Sequence, residues 1–375
     1  MTTSRRAAQP PMHLYIHVPF CARRCSYCDF AIAVRKAVPS SEYQQVLLQE
    51  WAMRQQHPGW ESSPEVATIY FGGGTPSLLA PPALEAILDA IHRDRDVAAD
   101  AEITLEANPD DVTAESAAAW RAIGINRVSL GSQSFDDAVL AWMHRTHSAA
   151  QVPVAVDILR SAGIGNLSLD LIFALPEHLN RNWDDDLARA MALEPAHLSL
   201  YGLTFEPHTA LDRWRLRGEA SPPPDERYAE EYLSAVEAFA HHGFEHYEVS
   251  NAARPGFRSR HNSAYWERRP FLGLGPAAHG SVGRRREWNE REWEAYRQRV
   301  NAGQDPVAGG EDLDDEALSL EERYLGLRTD RGAPEALVGR VSERWIQEGW
   351  ARRQDGRIVL TPEGWLRLDA LAASR

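Results

Sequence analysis

Three residues able to hold a soft metal stand within eight positions. Cys21, Cys25 and Cys28 lie in the stretch Tyr15-Ile16-His17-Val18-Pro19-Phe20-Cys21-Ala22-Arg23-Arg24-Cys25-Ser26-Tyr27-Cys28-Asp29-Phe30, and the chain has no other cysteine. Thiolates separated by three and then two residues can reach three corners of one [4Fe–4S] cube, leaving the fourth iron to another ligand. An iron with an open position can bind and activate a small molecule. A zinc site completed by His17 is the alternative, because zinc also takes thiolate and imidazole. Structural cysteines, by contrast, have no reason to cluster.

A loop of this kind needs a rigid mount. From residue 13 the sequence alternates short β-branched or apolar runs with amphipathic stretches such as Glu42–Arg54, Ala83–His92 and Asn182–Leu193, the pattern of βα units on a parallel sheet. Six strands are predicted: His13–Val18, Val66–Phe71, Glu102–Glu106, Arg127–Leu130, Asn166–Phe173 and His197–Gly202. Six units make a partial (β/α)6 barrel, in which chemistry belongs at the carboxyl ends of the strands. The cysteine loop follows the first strand, as that rule requires.

The other strand ends carry a consistent set. Gly72-Gly73-Gly74-Thr75-Pro76-Ser77 follows the second strand, where consecutive glycines let backbone N–H and C=O groups approach a ligand. Taken alone, this is equally readable as a tight βα turn. Glu106 closes the third strand, and a carboxylate in an apolar strand end calls for a cationic partner. Gln133 follows the fourth strand, Arg145 comes one helical segment later, and Asp170 lies in the fifth. An amide, a guanidinium and a carboxylate on successive strand ends can read the hydroxyls and carboxylate of one small ligand.

The cysteine spacing, with an aromatic residue before the third cysteine, resembles the radical S-adenosylmethionine (SAM) superfamily, and Gly72–Ser77 looks like its GGGTPS glycine motif. From about residue 13 onward the chain is similar to the oxygen-independent coproporphyrinogen oxidase-like family, and within it to the HemW-type heme chaperones. The resemblance implies that Cys21, Cys25 and Cys28 ligate the cluster and that Tyr15, Gly73 and Glu106 contact the cluster-bound SAM. Tyr27, Gly74, Thr75, Gln133, Arg145 and Asp170 match positions that line a second SAM site in the oxidase relatives; here that shell could hold a second SAM or another ligand. Two departures bear on the pocket's shape. Ala174 stands where a glycine is common in DLIxGLP, and Met143-His144 replaces the usual Leu-Gly before the arginine.

Beyond the sixth strand, Pro222-Pro223-Pro224 breaks the chain, and a helix is predicted from about Glu226 to His242. Then comes His261-Asn262-Ser263-Ala264-Tyr265-Trp266. An imidazole beside Tyr265 and Trp266 suits heme, with a ring nitrogen as axial ligand and the aromatic rings against the macrocycle. A histidine beside aromatics is also readable as an ordinary hydrogen-bonding core residue. HNxxYW looks like the signature of HemW-type proteins, associated there with heme, which makes His261, Tyr265 and Trp266 the heme-binding candidates. His279 is a second candidate, in the glycine-rich Gly273–Gly280 loop expected to cover the site. Gly303–Asp315 reads as a linker. The last stretch reads as helices near Ala317–Leu327, Pro334–Val341 and Glu343–Glu348, a hairpin at Asp355-Gly356 and a final helix from Pro362, an order that resembles a winged helix.

The expected organisation is a disordered tail (1–11), a radical-SAM core (12–224), an extension carrying HNxxYW and a linker (225–310), and a small α+β winged-helix-like C-terminal domain (311–375). A net charge of −14 argues against a nucleic-acid partner. No apolar run reaches the roughly 18 residues of a membrane span, and residues 1–11 lack an export signal's apolar core, so the expected location is the cytoplasm. Arg284-Arg285-Arg286 reads as a solvated loop or, alternatively, a contact with an anionic membrane surface.

The resemblance implies reductive cleavage of SAM, with flavodoxin or ferredoxin as the kind of electron donor. It also implies heme as cargo and respiratory membrane proteins as acceptors. The competing function is coproporphyrinogen III oxidation. Three features favour the chaperone: Phe30 stands where the oxidases look to carry a further cysteine, only 20 residues precede Cys21, and HNxxYW is present.

Overall fold

The computed structural model describes residues 12–62 and 65–374; the tail expected at 1–11 lies outside the described residues. Twelve strands form one sheet: β1 Met12–Val18, β2 Glu65–Gly73, β3 Asp96–Ala107, β4 Arg127–Gln133, β5 Asn166–Phe173, β6 His197–Gly202, β7 Glu245–Glu248, β8 Asn251–Ala253, β9 Phe271–Leu274, β10 His279–Val282, β11 Arg285–Asn289 and β12 Val307–Asp312. Their spatial order is β12-β11-β10-β9-β1-β2-β3-β4-β5-β6-β8-β7. The six strands expected from the sequence are its parallel centre, side by side in chain order, with helices crossing between them as in a partial (β/α)6 barrel.

The two faces of this centre differ chemically, and the alternation is written in the sequence. In β1, Met12, Leu14, Ile16 and Val18 are fully buried in the main hydrophobic core, which the crossover helices share. His13, Tyr15 and His17 point the other way. Side-by-side pairing continues this polar face: Tyr15 lies beside Tyr70, Tyr70 beside Thr104, Thr104 beside Arg127, Glu106 beside Ser129, and Asp170 beside Ser199. The interior of the strand array is therefore lined with titratable and hydroxyl groups.

The sheet runs past this centre on both sides. β9 pairs parallel to β1, and β10, β11 and β12 follow it antiparallel. The stretch read as a linker at 303–315 thus contains an edge strand, because Val307–Asp312 hydrogen-bonds along β11. The Gly273–Gly280 loop packs beside β1 rather than over the cavity: a side chain at Gly275 would meet the His17 carbonyl oxygen at 2.5 Å.

The C-terminal module has the expected order, with helices Asp315–Leu327, Glu335–Val338 and Val341–Gln347, then a hairpin of Ala351–Gln354 and Arg357–Leu360. Two short helices, Pro362–Trp365 and Leu368–Ala373, end it where one was expected. It docks through Trp365, edge-on to His246 at 4.6 Å, and through Arg328, which pairs with buried Glu248 at 3.0 Å and stacks over Trp266. The Arg284–Arg286 run is neutralised locally: the three guanidiniums pair with Asp315 (2.6 Å), Asp312 (3.0 Å) and Glu311 (3.2 Å).

Candidate functional site

A cavity of about 530 Å³ opens at the carboxyl ends of β1 to β6. Its wall contains Cys21, Cys25 and Cys28 together with Tyr27, Gly73, Gly74, Thr75, Glu106, Gln133, Arg145 and Asp170. Of the residues assigned to the cluster and SAM, only Tyr15 stands outside it. Tyr15 backs the wall instead, stacked on Tyr70 at 6.1 Å, with its hydroxyl 3.1 Å from His17 Nδ1.

Backbone hydrogen bonds hold the cysteine loop from two sides: Ser26 N–H donates to the Met143 carbonyl at 3.1 Å, and Leu211 N–H to the Ser26 carbonyl at 2.8 Å. Thr75 Oγ1 donates to Cys21 Sγ at 3.4 Å, and Arg145 Nη1 reaches Cys25 Sγ at 3.5 Å. Burial pushes the Cys21 thiol up to about 11 and raises Cys28 as well, so a bound cluster would have to draw these protons off. The three thiols share a wall without converging on a single-ion point among the described residues. His17, the imidazole considered for zinc, engages Tyr15 with Nδ1 and the Ala31 carbonyl with Nε2 (2.9 Å), leaving neither nitrogen free for a metal. The donor set, three thiolates beside a guanidinium and a hydroxyl, fits the cluster.

The glycines are dictated by close approach. Gly73 has φ +114, and a Cβ there would lie 2.5 Å from the His17 ring; at Gly74 it would lie 2.7 Å from the Phe20 carbonyl oxygen. Gly73 N–H donates to Glu106 Oε2 at 3.0 Å and Tyr70 OH to Glu106 Oε1 at 2.8 Å. Burial, with the nearby Asp170 charge adding to it, lifts Glu106 to about 7. Burial raises Asp170 too, against the hydroxyl donors that favour its charged form; Ser129 Oγ donates at 3.0 Å. Neither carboxylate forms an ion pair among the described residues, so the cavity is short of positive charge in the place where an ammonium or sulfonium would supply it.

Several residues here escaped the sequence reading. Asn108 Oδ1 accepts from Arg145 Nη2 at 2.5 Å, and Ser129 supports Asp170. The buried Arg127 faces the same interior, with its Nε unpartnered, and its charge opposes the rise of both carboxylates. The available signal was the period-two face: Arg127, Ser129, Gly131 and Gln133 alternate along β4, as Glu106 and Asn108 do at the end of β3.

The HNxxYW residues do not join this cavity. The Arg260–Trp266 helix sits toward the amino ends of the strands, its first N–H groups held by Glu102, four residues before Glu106 on β3. His261 is buried, with Nδ1 2.6 Å from Thr68 Oγ1 and Nε2 2.7 Å from Tyr265 OH. Ligation of heme iron by His261 would require breaking one of these bonds. Tyr265 packs edge-on against Phe271, and Trp266 lines a separate cleft against the C-terminal module. His279 is exposed, with its ring 5.9 Å from Trp288.

Both departures from the family pattern fall at left-handed backbone: His144 has φ 61 and Ala174 φ 60. That geometry explains a glycine at each position elsewhere in the family.

Comparison with known proteins agrees with the site. The radical SAM superfamily profile matches residues 15–190. The heme chaperone HemW of Synechocystis is 38% identical over 341 residues, 89% of this chain and 82% of that protein. HemW of Mycobacterium tuberculosis is 37% identical over 369 residues, 96% of this chain and 94% of that protein. Among solved structures, the Escherichia coli coproporphyrinogen III oxidase HemN, a radical SAM enzyme, superposes with a TM-score of 0.81 at 20% identity, covering 98% of this chain and 90% of that one, which establishes a shared fold. Membership of the superfamily implies a [4Fe–4S] cluster and SAM. The chain belongs to the HemW family of radical SAM proteins.

Proposed function

We propose that this protein is a heme chaperone that binds heme and passes it to respiratory heme proteins, with a [4Fe–4S] cluster on Cys21, Cys25 and Cys28 and SAM beside it. The observation that carries the reading is one cavity whose wall joins the three thiols to two half-buried carboxylates that form no ion pair among the described residues, in a chain that matches heme chaperones over most of its length. When bound, the cluster and SAM supply one-electron chemistry. The protein's own residues do the rest. Glu106 and the Gly73 backbone orient the ammonium of SAM, Arg145 stands against the cluster thiolates, and Asp170 with Ser129 offers acceptors for ribose hydroxyls. Residues 12–224 form the working core in this reading, 225–310 extend it and 311–375 pack against it. A flavodoxin or ferredoxin is the class of electron donor.

The test is transfer. Protein loaded with ferric heme and mixed with an apo-form heme acceptor should give up the heme faster than free heme enters the same acceptor. Heme that stays bound, or never binds, sinks the chaperone reading.

A further inference from the structure

The surface around the cysteine loop carries the opposite charge to the rest of the molecule. The whole chain has 54 acidic residues against 40 basic ones, yet between Phe20 and Ser41 the cations are Arg23, Arg24, Arg35 and Lys36 and the only carboxylate is Asp29. Arg35 is taken by Glu294 at 3.2 Å. Arg23, Arg24 and Lys36 are exposed and form no ion pair among the described residues, and Arg23 and Lys36 form no hydrogen bond there either. Arg291, exposed and likewise without an ion pair, is drawn to the same loop from far along the chain, where its Nη2 donates to the Asp29 carbonyl at 2.9 Å.

The loop's own bonds hold these groups together. Arg24 spans it, with Nη1 on the Cys28 carbonyl and Nη2 on the Ile32 carbonyl, each at 3.4 Å. Phe20-Cys21 pairs with Ala33-Val34, and the Arg35 N–H donates to the Cys21 carbonyl at 2.9 Å, which keeps Lys36 beside the first cysteine. Two apolar side chains stand among the charges: Phe30 is 62% exposed and Val34 45%. Exposed apolar groups with a charged rim have the composition of a protein contact.

Charge selects the partner. A molecule of net charge −14 repels an acidic protein over most of its surface, and attracts it only where a cationic face is turned outward. Position gives the purpose, because Cys25 and Cys28 are only partly buried here, so a redox group seated on this face stands next to the thiols.

We infer that the face formed by Phe30, Val34, Arg23, Arg24, Lys36 and Arg291 docks an acidic one-electron carrier protein. The inference rests on the reading of Cys21, Cys25 and Cys28 as cluster ligands. The carrier, a reduced flavin or iron–sulfur protein, loses one electron and the cluster gains it; no bond forms or breaks and no proton moves.

Lys36 is the only lysine of the chain, which supplies a direct test. A carbodiimide, which joins an amine to a carboxylate in contact with it, is applied to the reconstituted protein mixed with oxidised flavodoxin, an acidic carrier, and the linked peptides are read by mass spectrometry. The expected result is an amide between Lys36 and a flavodoxin carboxylate, formed at about 20 mM salt and suppressed at about 300 mM, where ions screen the attraction. Flavodoxin affinity, measured by calorimetry, should fall about tenfold or more in Arg23→Glu/Lys36→Glu, which breaks no hydrogen bond in the fold. It should hold in Arg340→Glu/Arg344→Glu, which makes the same change of net charge on the C-terminal module. No link at Lys36, or equal affinity in the two double variants, would overturn the inference. Binding to phosphatidylglycerol vesicles that is lost in Arg23→Glu/Lys36→Glu, with flavodoxin affinity unmoved, would overturn it too and assign the face to a membrane. A protein that assembles no cluster yet links Lys36 to flavodoxin would bring down the cluster reading and leave the docking face in place.

Discussion

The His261 imidazole lies stacked on the Tyr70 ring, with centroids 4.9 Å apart and planes at 25°, and the Tyr70 hydroxyl in turn holds Glu106. The HNxxYW helix, anchored at the amino end of the strands, therefore reaches the SAM pocket through aromatic contacts, the nearer with Tyr70 and a second with Tyr15 at 6.4 Å. Its histidine sets the floor on which Glu106 is positioned.

His261→Ala should destabilise the fold by about 2–4 kcal/mol, from the cavity left behind and the unpaired Thr68 and Tyr265 hydroxyls, and should weaken SAM binding. Tyr70→Phe keeps the stack but removes the donor to Glu106, so it should weaken SAM binding with little change in stability. Urea melts paired with equilibrium dialysis of SAM check both; unchanged SAM affinity in Tyr70→Phe would disconnect this contact from the pocket.

SAM binding should depend on pH through Glu106. Burial holds its carboxyl up at about 7, and only the ionised form attracts an ammonium. Affinity should then fall toward tenfold per unit as pH drops below 7, with proton release when SAM binds near neutrality. Glu106→Gln should weaken binding at pH 8 by about 1.5–3 kcal/mol and flatten the profile. A sloping profile in that variant would assign the titration to another group.

Arg127 makes a second, independent statement about the same carboxyl. Its charge lowers the pKa of Glu106 and Asp170, so Arg127→Met should move the midpoint of the SAM pH profile upward. Stability should change little, since the attraction to the two carboxylates that is lost is offset by the desolvation cost a buried guanidinium carries. A profile that stays in place would show that the guanidinium is screened from the pocket.

Gly74 is the tightest point of the glycine loop. Gly74→Ala would drive a methyl to 2.7 Å from the Phe20 carbonyl, and backbone cannot yield there as a flexible side chain would. The variant should lose at least about 2 kcal/mol of stability and hold less iron after anaerobic reconstitution, as Cys25→Ala should by losing a ligand. Full iron content in Cys25→Ala would remove that thiol from the cluster.

Much of this site was legible in the sequence because strand-end chemistry follows simple periodicity. The six parallel strands, the cysteine loop and eight of the nine expected SAM contacts converge on one cavity, since each sits where a strand releases its chain toward the same end. Tyr15 faces the same interior but lies one row below the wall, level with Tyr70 and Thr104. The outer strands were hidden for a different reason. Val307–Asp312 is glycine-rich and acidic, and becomes a strand only because β11 offers it an edge. His261 shows the limit of motif reading: a histidine among aromatics has the same sequence whether its nitrogens face a ligand or, as here, Thr68 and Tyr265. Arg127 could have been placed on the interior face, but its unpartnered Nε is a property of the packed structure.

The most direct test of the account offers the anaerobically reconstituted protein, with SAM and a reductant, coproporphyrinogen III and heme in parallel. The account predicts that heme binds and coproporphyrinogen III is recovered unchanged. Decarboxylated porphyrinogen, formed with consumption of SAM, would contradict it and make the protein an oxidase.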